Sequence, residues 1–231
     1  MIDYASVPIG AAGELCCARC GAPGDMAARD AADVLADVSR IAAQWTGGPG
    51  PNVTYTGFEP FAHPQLPALV TSAAQAGVQR LRLRTDAGAL ASPGNAAGAF
   101  AAGVRQLEVV LLGGSAHSHD RLAEKPGLFE AAAAGVAAWR AAATDAGDRT
   151  FVSVRVPVCR HNEADLPQVA AVAAAWRCEA VHFVVTGDAA SEAVLAAALE
   201  TATVHGVAAF VSGAAVPSQV YATSLWREVD V

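Results

Sequence analysis

Short strand-like and helix-like segments alternate along almost the whole chain, and this alternation restricts the fold more than any other feature. Tyr4 to Ile9 reads as a first strand. From Asp25 to Trp45 the apolar residues fall at helical spacing: Ala28, Ala31, Ala32, Leu35, Val38, Ile41 and Ala42 share one face, and Asp30, Asp33, Asp37 and Arg40 the other. Asn52 to Thr56 is a β-branched strand, and Pro64 to Ala76 a helix that ends at Gly77. In Gln79 to Thr85, Leu81 and Leu83 alternate with Arg80, Arg82 and Arg84, so the arginine side of that strand is either solvated or meets a helix edge. Gln106 to Leu112 is nearly all apolar, as a buried parallel strand requires. Thr150 to Val158, Ala180 to Val185 and Val207 to Val211 are further strands. Helical stretches at Gly94 to Ala102, Glu130 to Ala143, Ala164 to Trp176 and Ser191 to His205 lie between the strands.

Six or seven β-α units in series, joined by short connections, predict a parallel sheet covered by helices. They are too few for a closed eight-fold barrel, so the sheet is expected to stay open. No tandem repeat or low-complexity linker interrupts the series. The reading is one domain over residues 1–231, with a core at about 5–215 and a short tail at 216–231.

Composition limits what such a domain can do. Of 231 residues, 53% are apolar but only 6% aromatic, which suits a core of small side chains on helices. A net charge of −7 argues against a nucleic-acid surface, which needs clustered cations to displace counterions. No apolar run is long enough to span a bilayer, and the N-terminus lacks the charged-then-apolar pattern of a secretory signal. A soluble, reducing, cytoplasmic setting is expected. Lys125 is the only lysine, and the bias toward Ala and Arg fits a GC-rich bacterial genome.

Between the first strand and the first helix lies Gly13-Glu14-Leu15-Cys16-Cys17-Ala18-Arg19-Cys20-Gly21-Ala22-Pro23-Gly24, which packs three of the five cysteines into five positions. In a reducing compartment such density points to metal or cluster chemistry rather than to disulfides. Cys17-x-x-Cys20 is half of a zinc signature that His117 or His119 would have to complete; the plain alternative is reduced thiols with no metal. Cys159 and Cys178 stand alone in apolar surroundings and read as core.

The order of landmarks resembles the radical S-adenosylmethionine (radical SAM) superfamily over roughly residues 5 to 215. Members have a partial (β/α)6 TIM-like barrel of parallel strands, a Cys-x3-Cys-x2-Cys loop after the first strand and a Gly-Gly-Glu-Pro-like turn after the second. Here Thr56-Gly57-Phe58-Glu59-Pro60 looks like that turn, and Phe61 to Pro67 like its continuation into a helix. His119-Asp120-Arg121-Leu122 resembles the loop after strand four, and Val156-Pro157-Val158 with His161-Asn162 the exit of strand five. The resemblance implies a SAM site at Gly57, Phe58, Glu59, Thr85, Asp86 and Asn162, and a [4Fe–4S] cluster held by three thiolates.

The motif is degenerate. When Arg19-Cys20 is aligned with the family's Arg-Cys, Cys16 and Cys20 take the first two ligand positions and the third falls on Pro23, which has no ligand atom. Cys17 is adjacent to Cys16 and in an extended segment would point to the other side. Where relatives often read Ser-Leu-Asp-Gly after strand four, this chain reads Val110-Leu111-Leu112-Gly113; Thr-Asn-Gly becomes Thr85-Asp86-Ala87.

The expectation is therefore a radical SAM-like pseudoenzyme with no catalytic residues. Its cluster site at Cys16, Cys17 and Cys20 is lost, and no cofactor is expected. It would act as an accessory subunit beside a protein partner, a competent radical SAM enzyme or another protein of a bacterial peptide or natural-product modification pathway. Tyr221 and Trp226 in the tail are candidates for docking that partner. The rival expectation is a divergent radical SAM enzyme that binds a [4Fe–4S] cluster and SAM to start 5′-deoxyadenosyl radical chemistry.

Overall fold

A computed structural model describes residues 2–10, 27–46, 48–185, 191–213 and 226–229. Eight strands form one sheet: β1 (Ile2–Pro8), β2 (Asn52–Thr56), β3 (Arg80–Thr85), β4 (Gln106–Val110), β5 (Phe151–Val158), β6 (Ala180–Val185), β7 (Ala208–Gly213) and β8 (Trp226–Val229). Their spatial order is β7-β6-β5-β4-β3-β2-β1-β8, and every pairing is parallel. The helices are α1 (Ala31–Gln44), α2 (Leu66–Gln75), α3 (Asn95–Ala101), α4 (Ala116–Ala123), α5 (Leu128–Asp145), α6 (Leu166–Ala175) and α7 (Glu192–Val204). The first seven strands alternate with helices and curl into a half-barrel, the partial TIM-like α/β architecture that the alternation predicts.

The curl is visible in the contacts of one residue. Tyr4 in β1 donates its hydroxyl to Oε1 of Gln106 in β4 at 2.6 Å and clusters with Ala180 of β6 and Phe210 of β7. A flat sheet would hold β1 and β6 five strand spacings apart, roughly 24 Å, so these side chains meet only because the sheet bends into a concave face.

Strand parity divides the core in two. Val7, Val53, Leu83, Leu107, Val152 and Val181 point to the convex side and pack against Val34, Val38, Leu69, Phe100, Trp139 and Val169 of the helices. The concave side carries Tyr4, Thr54, Arg82, Arg84, Glu108, Ser153, Arg155 and His182. The arginines of β3 therefore have a different fate from either sequence expectation: Arg82 and Arg84 are neither solvated nor at a helix edge, but buried inside the curl. Their counter-charge is Glu108, fully buried in the strand whose composition reads as almost wholly apolar.

Two elements exceed the sequence reading. The stretch around His119 forms α4 rather than a loop, started by a reciprocal capping box between Ser115 and Ser118. Residues 226–229, within the segment read as a tail, pair with β1 from Ile2↔Trp226 to Ala5↔Val229. Trp226 is thus part of a strand, while Tyr221 lies outside the described residues. Among the described residues, no helix is long and apolar enough to cross a membrane.

Candidate functional site

The C-terminal ends of β1, β2 and β3 converge on one corner. After β1, Ile9 donates its N–H to the Thr56 carbonyl at 2.8 Å, and its own carbonyl accepts from the Arg29 N–H at 2.9 Å. Gly10 forms an isolated bridge with Ala28, so the segment that bears Cys16, Cys17 and Cys20 leaves and rejoins the described chain at one point. Those three cysteines lie outside the described residues. His63 fixes the returning strand by a contact from Nε2 to the Arg29 carbonyl at 3.1 Å, while its Nδ1 accepts from the Gln65 N–H.

This base sits directly on the turn after β2. Gly57 has φ of 74°, the left-handed region where a side chain is strained, and a Cβ there would lie 3.2 Å from the Gly10 carbonyl oxygen. Phe58 is buried beneath Gly10 and meets the edge of His63. Pro60 then opens a single 3₁₀ turn, Pro60–Ala62, capped by Glu59.

Glu59 links the corner together. Its Oε1 accepts from the Phe61 N–H at 3.2 Å and from the Thr85 hydroxyl at 2.7 Å, and its Oε2 accepts from the Asp86 N–H at 2.8 Å. Burial and the nearby Asp86 charge push the Glu59 carboxyl up to about 7, against the pull of these donors. Asp86 in turn accepts from the Gly88 N–H through Oδ1 and pairs with Lys125 through Oδ2 at 3.2 Å. Five of the six residues that the resemblance nominates, Gly57, Phe58, Glu59, Thr85 and Asp86, therefore belong to this corner. The sixth, Asn162, is buried at the exit of β5, where it accepts from the Cys159 N–H and donates to the Pro157 carbonyl.

The ends of β4 and β5 have a different character. Val110 and Leu112, at the positions where a hydroxyl and a carboxylate would be expected, join Leu122, Ala123, Leu128 and Cys159 in a separate apolar cluster. α4 folds over this cluster. His119, fully buried, accepts the Leu112 N–H on Nδ1 at 3.1 Å, and burial lowers its basicity to about 4. Asp120 accepts from the N–H groups of Gly127 and Phe129 and so starts α5. No group of three or more metal-ligating side chains occurs among the described residues.

A half-barrel of parallel strands with a Gly-x-Glu-Pro turn after the second strand defines a radical SAM-like fold. No family model matches the chain, and no curated protein matches it in sequence. Solved structures do. SuiB of Streptococcus suis bound to its precursor peptide SuiA superposes with a TM-score of 0.62 over 92% of this chain and 49% of that one, at 9% identity. SuiB bound to S-adenosylmethionine gives 0.60 at 10% identity, over 92% and 51%. TYW1 with a lysine-pyruvate adduct gives 0.50 at 12% identity, over 76% and 60%. HMG-CoA lyase from Brucella melitensis gives 0.56 at 15% identity, over 92% and 71%. SuiB and TYW1 are radical SAM proteins. The chain spans about half the length of SuiB.

Proposed function

We propose that this chain is a radical SAM-like pseudoenzyme that serves as an accessory subunit in a bacterial peptide or natural-product modification pathway. One observation carries the reading: the ends of β4 and β5, where a polar ligand needs partners, are filled by Val110 and Leu112 packed on Leu122, Ala123, Leu128 and Cys159. Two further features agree with it. Pro23 stands where a third thiolate belongs, and the Glu59 carboxylate is already engaged by three donors of its own chain. This donor set does not fit a cluster-bound SAM molecule. The peptide pathway rests on the likeness to SuiB, which was solved with a precursor peptide.

Calorimetric titration of the anaerobic protein with SAM tests this reading, together with an assay for 5′-deoxyadenosine after addition of dithionite. No saturable heat and no 5′-deoxyadenosine are expected. Reductive cleavage of SAM that disappears in Cys20→Ala would establish the rival reading, a divergent radical SAM enzyme. The rival is favoured by one feature of the corner: the cysteine-bearing segment is rooted, through Gly10 and Ala28, against the Gly57–Glu59 turn.

A further inference from the structure

On the helical side of the sheet, α2 and α3 share an uncharged outer face. Residues 60–79, which hold the 3₁₀ turn and α2, contain no Asp, Glu, Lys or Arg, and neither do residues 87–104, which hold α3. His63, the one titratable side chain in these stretches, is buried with both ring nitrogens engaged. Between them β3 keeps Arg82, Arg84 and Asp86 buried, so exposed charge appears only at the margins, at Arg80 and Arg105. The helices α1, α4, α5 and α7 differ: they expose Asp33, Arg121, Glu130 and Glu200 respectively. α6 is uncharged as well, but Glu163 and Arg177 flank it and α7 packs along it.

The same face has relief. α1 packs against α2, and α5 against α3, but α2 and α3 part to leave a groove of about 220 Å³. Leu66, Pro67 and Val70 form one wall, and Gly94, Gly98 and Ala102 the other. The last three are spaced four apart and share one side of α3. An added Cβ at Gly98 would meet nothing within 4 Å, so the chain's own packing does not call for a glycine there, although glycine weakens a helix interior. The room it keeps lies outside the fold. The groove is smaller than the roughly 300 Å³ at which pockets for drug-sized ligands begin, and its open, smooth wall suits a row of side chains from a facing helix.

Charge and shape together select the occupant. Each chain carries a net charge of −7, so two copies repel unless they meet where neither presents charge. An uncharged centre with arginines at its margin also matches the anatomy of protein interfaces, whose cores are depleted in charge. Beside the groove stands its own ridge, the exposed Pro67, Ala68, Thr71 and Gln75 of α2. Ridge and groove lie side by side on one face, and a two-fold axis through that face lays each ridge in the opposite groove.

We propose that two copies of this chain associate through the α2–α3 face, the α2 ridge of each seated in the α2–α3 groove of the other. The association does not depend on whether SAM binds at the Glu59 corner. Two short helices give a contact at the small end of specific interfaces, so the dimer is reversible and forms in the micromolar range.

Sedimentation equilibrium of the full-length protein over micromolar concentrations tests this, with thermal melting to confirm that each variant folds. A monomer–dimer equilibrium is expected that tightens as NaCl is added, because salt screens the repulsion between the two net charges. Gly98→Glu and Ala68→Glu, both at exposed positions, should each weaken it at least about tenfold by setting like charges into the contact. Ala196→Glu, which adds the same charge on the exposed face of α7, should change it by less than about twofold. If Gly98→Glu does not fold, Ala68→Glu decides. The proposal fails if the chain stays monomeric throughout, which would leave the face to a different protein. It fails equally if salt dissociates the dimer, if the dimer survives a folded Gly98→Glu or Ala68→Glu, or if Ala196→Glu weakens it as much.

Discussion

Asp86 donates its backbone N–H to Oε2 of Glu59 at 2.8 Å, and this bond ties the turn after β2 to the turn after β3. The same carboxylate takes the Thr85 hydroxyl and the Phe61 N–H, so a single side chain fixes three separate points of the barrel mouth. Truncation would leave a buried hydroxyl and two N–H groups in search of new acceptors. Glu59→Ala is expected to lower stability by about 1–3 kcal/mol in urea denaturation, and Glu59→Gln by less, because it keeps one acceptor oxygen.

Inside the curl the decisive carboxylate is Glu108. Burial alone would raise its pKa, but the guanidiniums of Arg82, Arg84 and Arg155 outweigh that and hold it below the usual carboxylate range. Glu108→Ala leaves two buried guanidiniums without their shared counter-ion. A loss of about 3–5 kcal/mol is expected, read from the midpoint of chemical unfolding. A change below about 1 kcal/mol would mean that the pair is replaceable.

α5 reaches the barrel mouth through one small residue. A Cβ at Gly135 would fall 2.1 Å from the Ala87 carbonyl oxygen, on the turn that follows Thr85 and Asp86. Gly135→Ala should therefore push α5 away from this turn and cost about 1–3 kcal/mol, seen as a lowered Tm. The same change at Gly98, where an added Cβ meets nothing within 4 Å, should be neutral or mildly stabilising.

Stability should fall on acidification before most carboxylates titrate. His119 and His182 are both lowered from 6.5 to about 4 by burial, so between those values the unfolded chain binds protons that the native state does not. Their contribution is complete above pH 6.5 and is lost as pH falls toward 4. Glu59, raised from 4.5 to about 7, acts in the opposite sense, favouring the native state as pH falls through 7. Two groups against one leave a net loss on the order of 1 kcal/mol per pH unit. Urea unfolding from pH 7 to 4 checks this, and the slope should shrink in His182→Gln.

The fold was legible where burial followed polarity. β2 and β6 have the bounds that their β-branched runs suggest, since convex-facing valines and phenylalanines declare their burial directly. The charged layer was not legible, because Arg82, Arg84 and Glu108 are satisfied only by one another across strands more than twenty residues apart. α4 was hidden for a related reason: His119, its most deeply buried polar residue, breaks the apolar period, and only the Ser115–Ser118 pair announces the helix. β8 is four residues long and gains its strand geometry from β1 rather than from its own pattern. At the site, the Gly57–Pro60 turn could be read from a motif. The commitment of Glu59 to Thr85 and Asp86 required the sheet to bring β2 and β3 together.

The central proposal is a radical SAM-like half-barrel whose cluster chemistry has been lost. Quantification of iron and acid-labile sulfide after anaerobic reconstitution tests it most directly. The expected result is neither element in stoichiometric amount and no absorbance band near about 400 nm. About four irons and four sulfides per chain, lost in Cys20→Ala, would contradict the proposal.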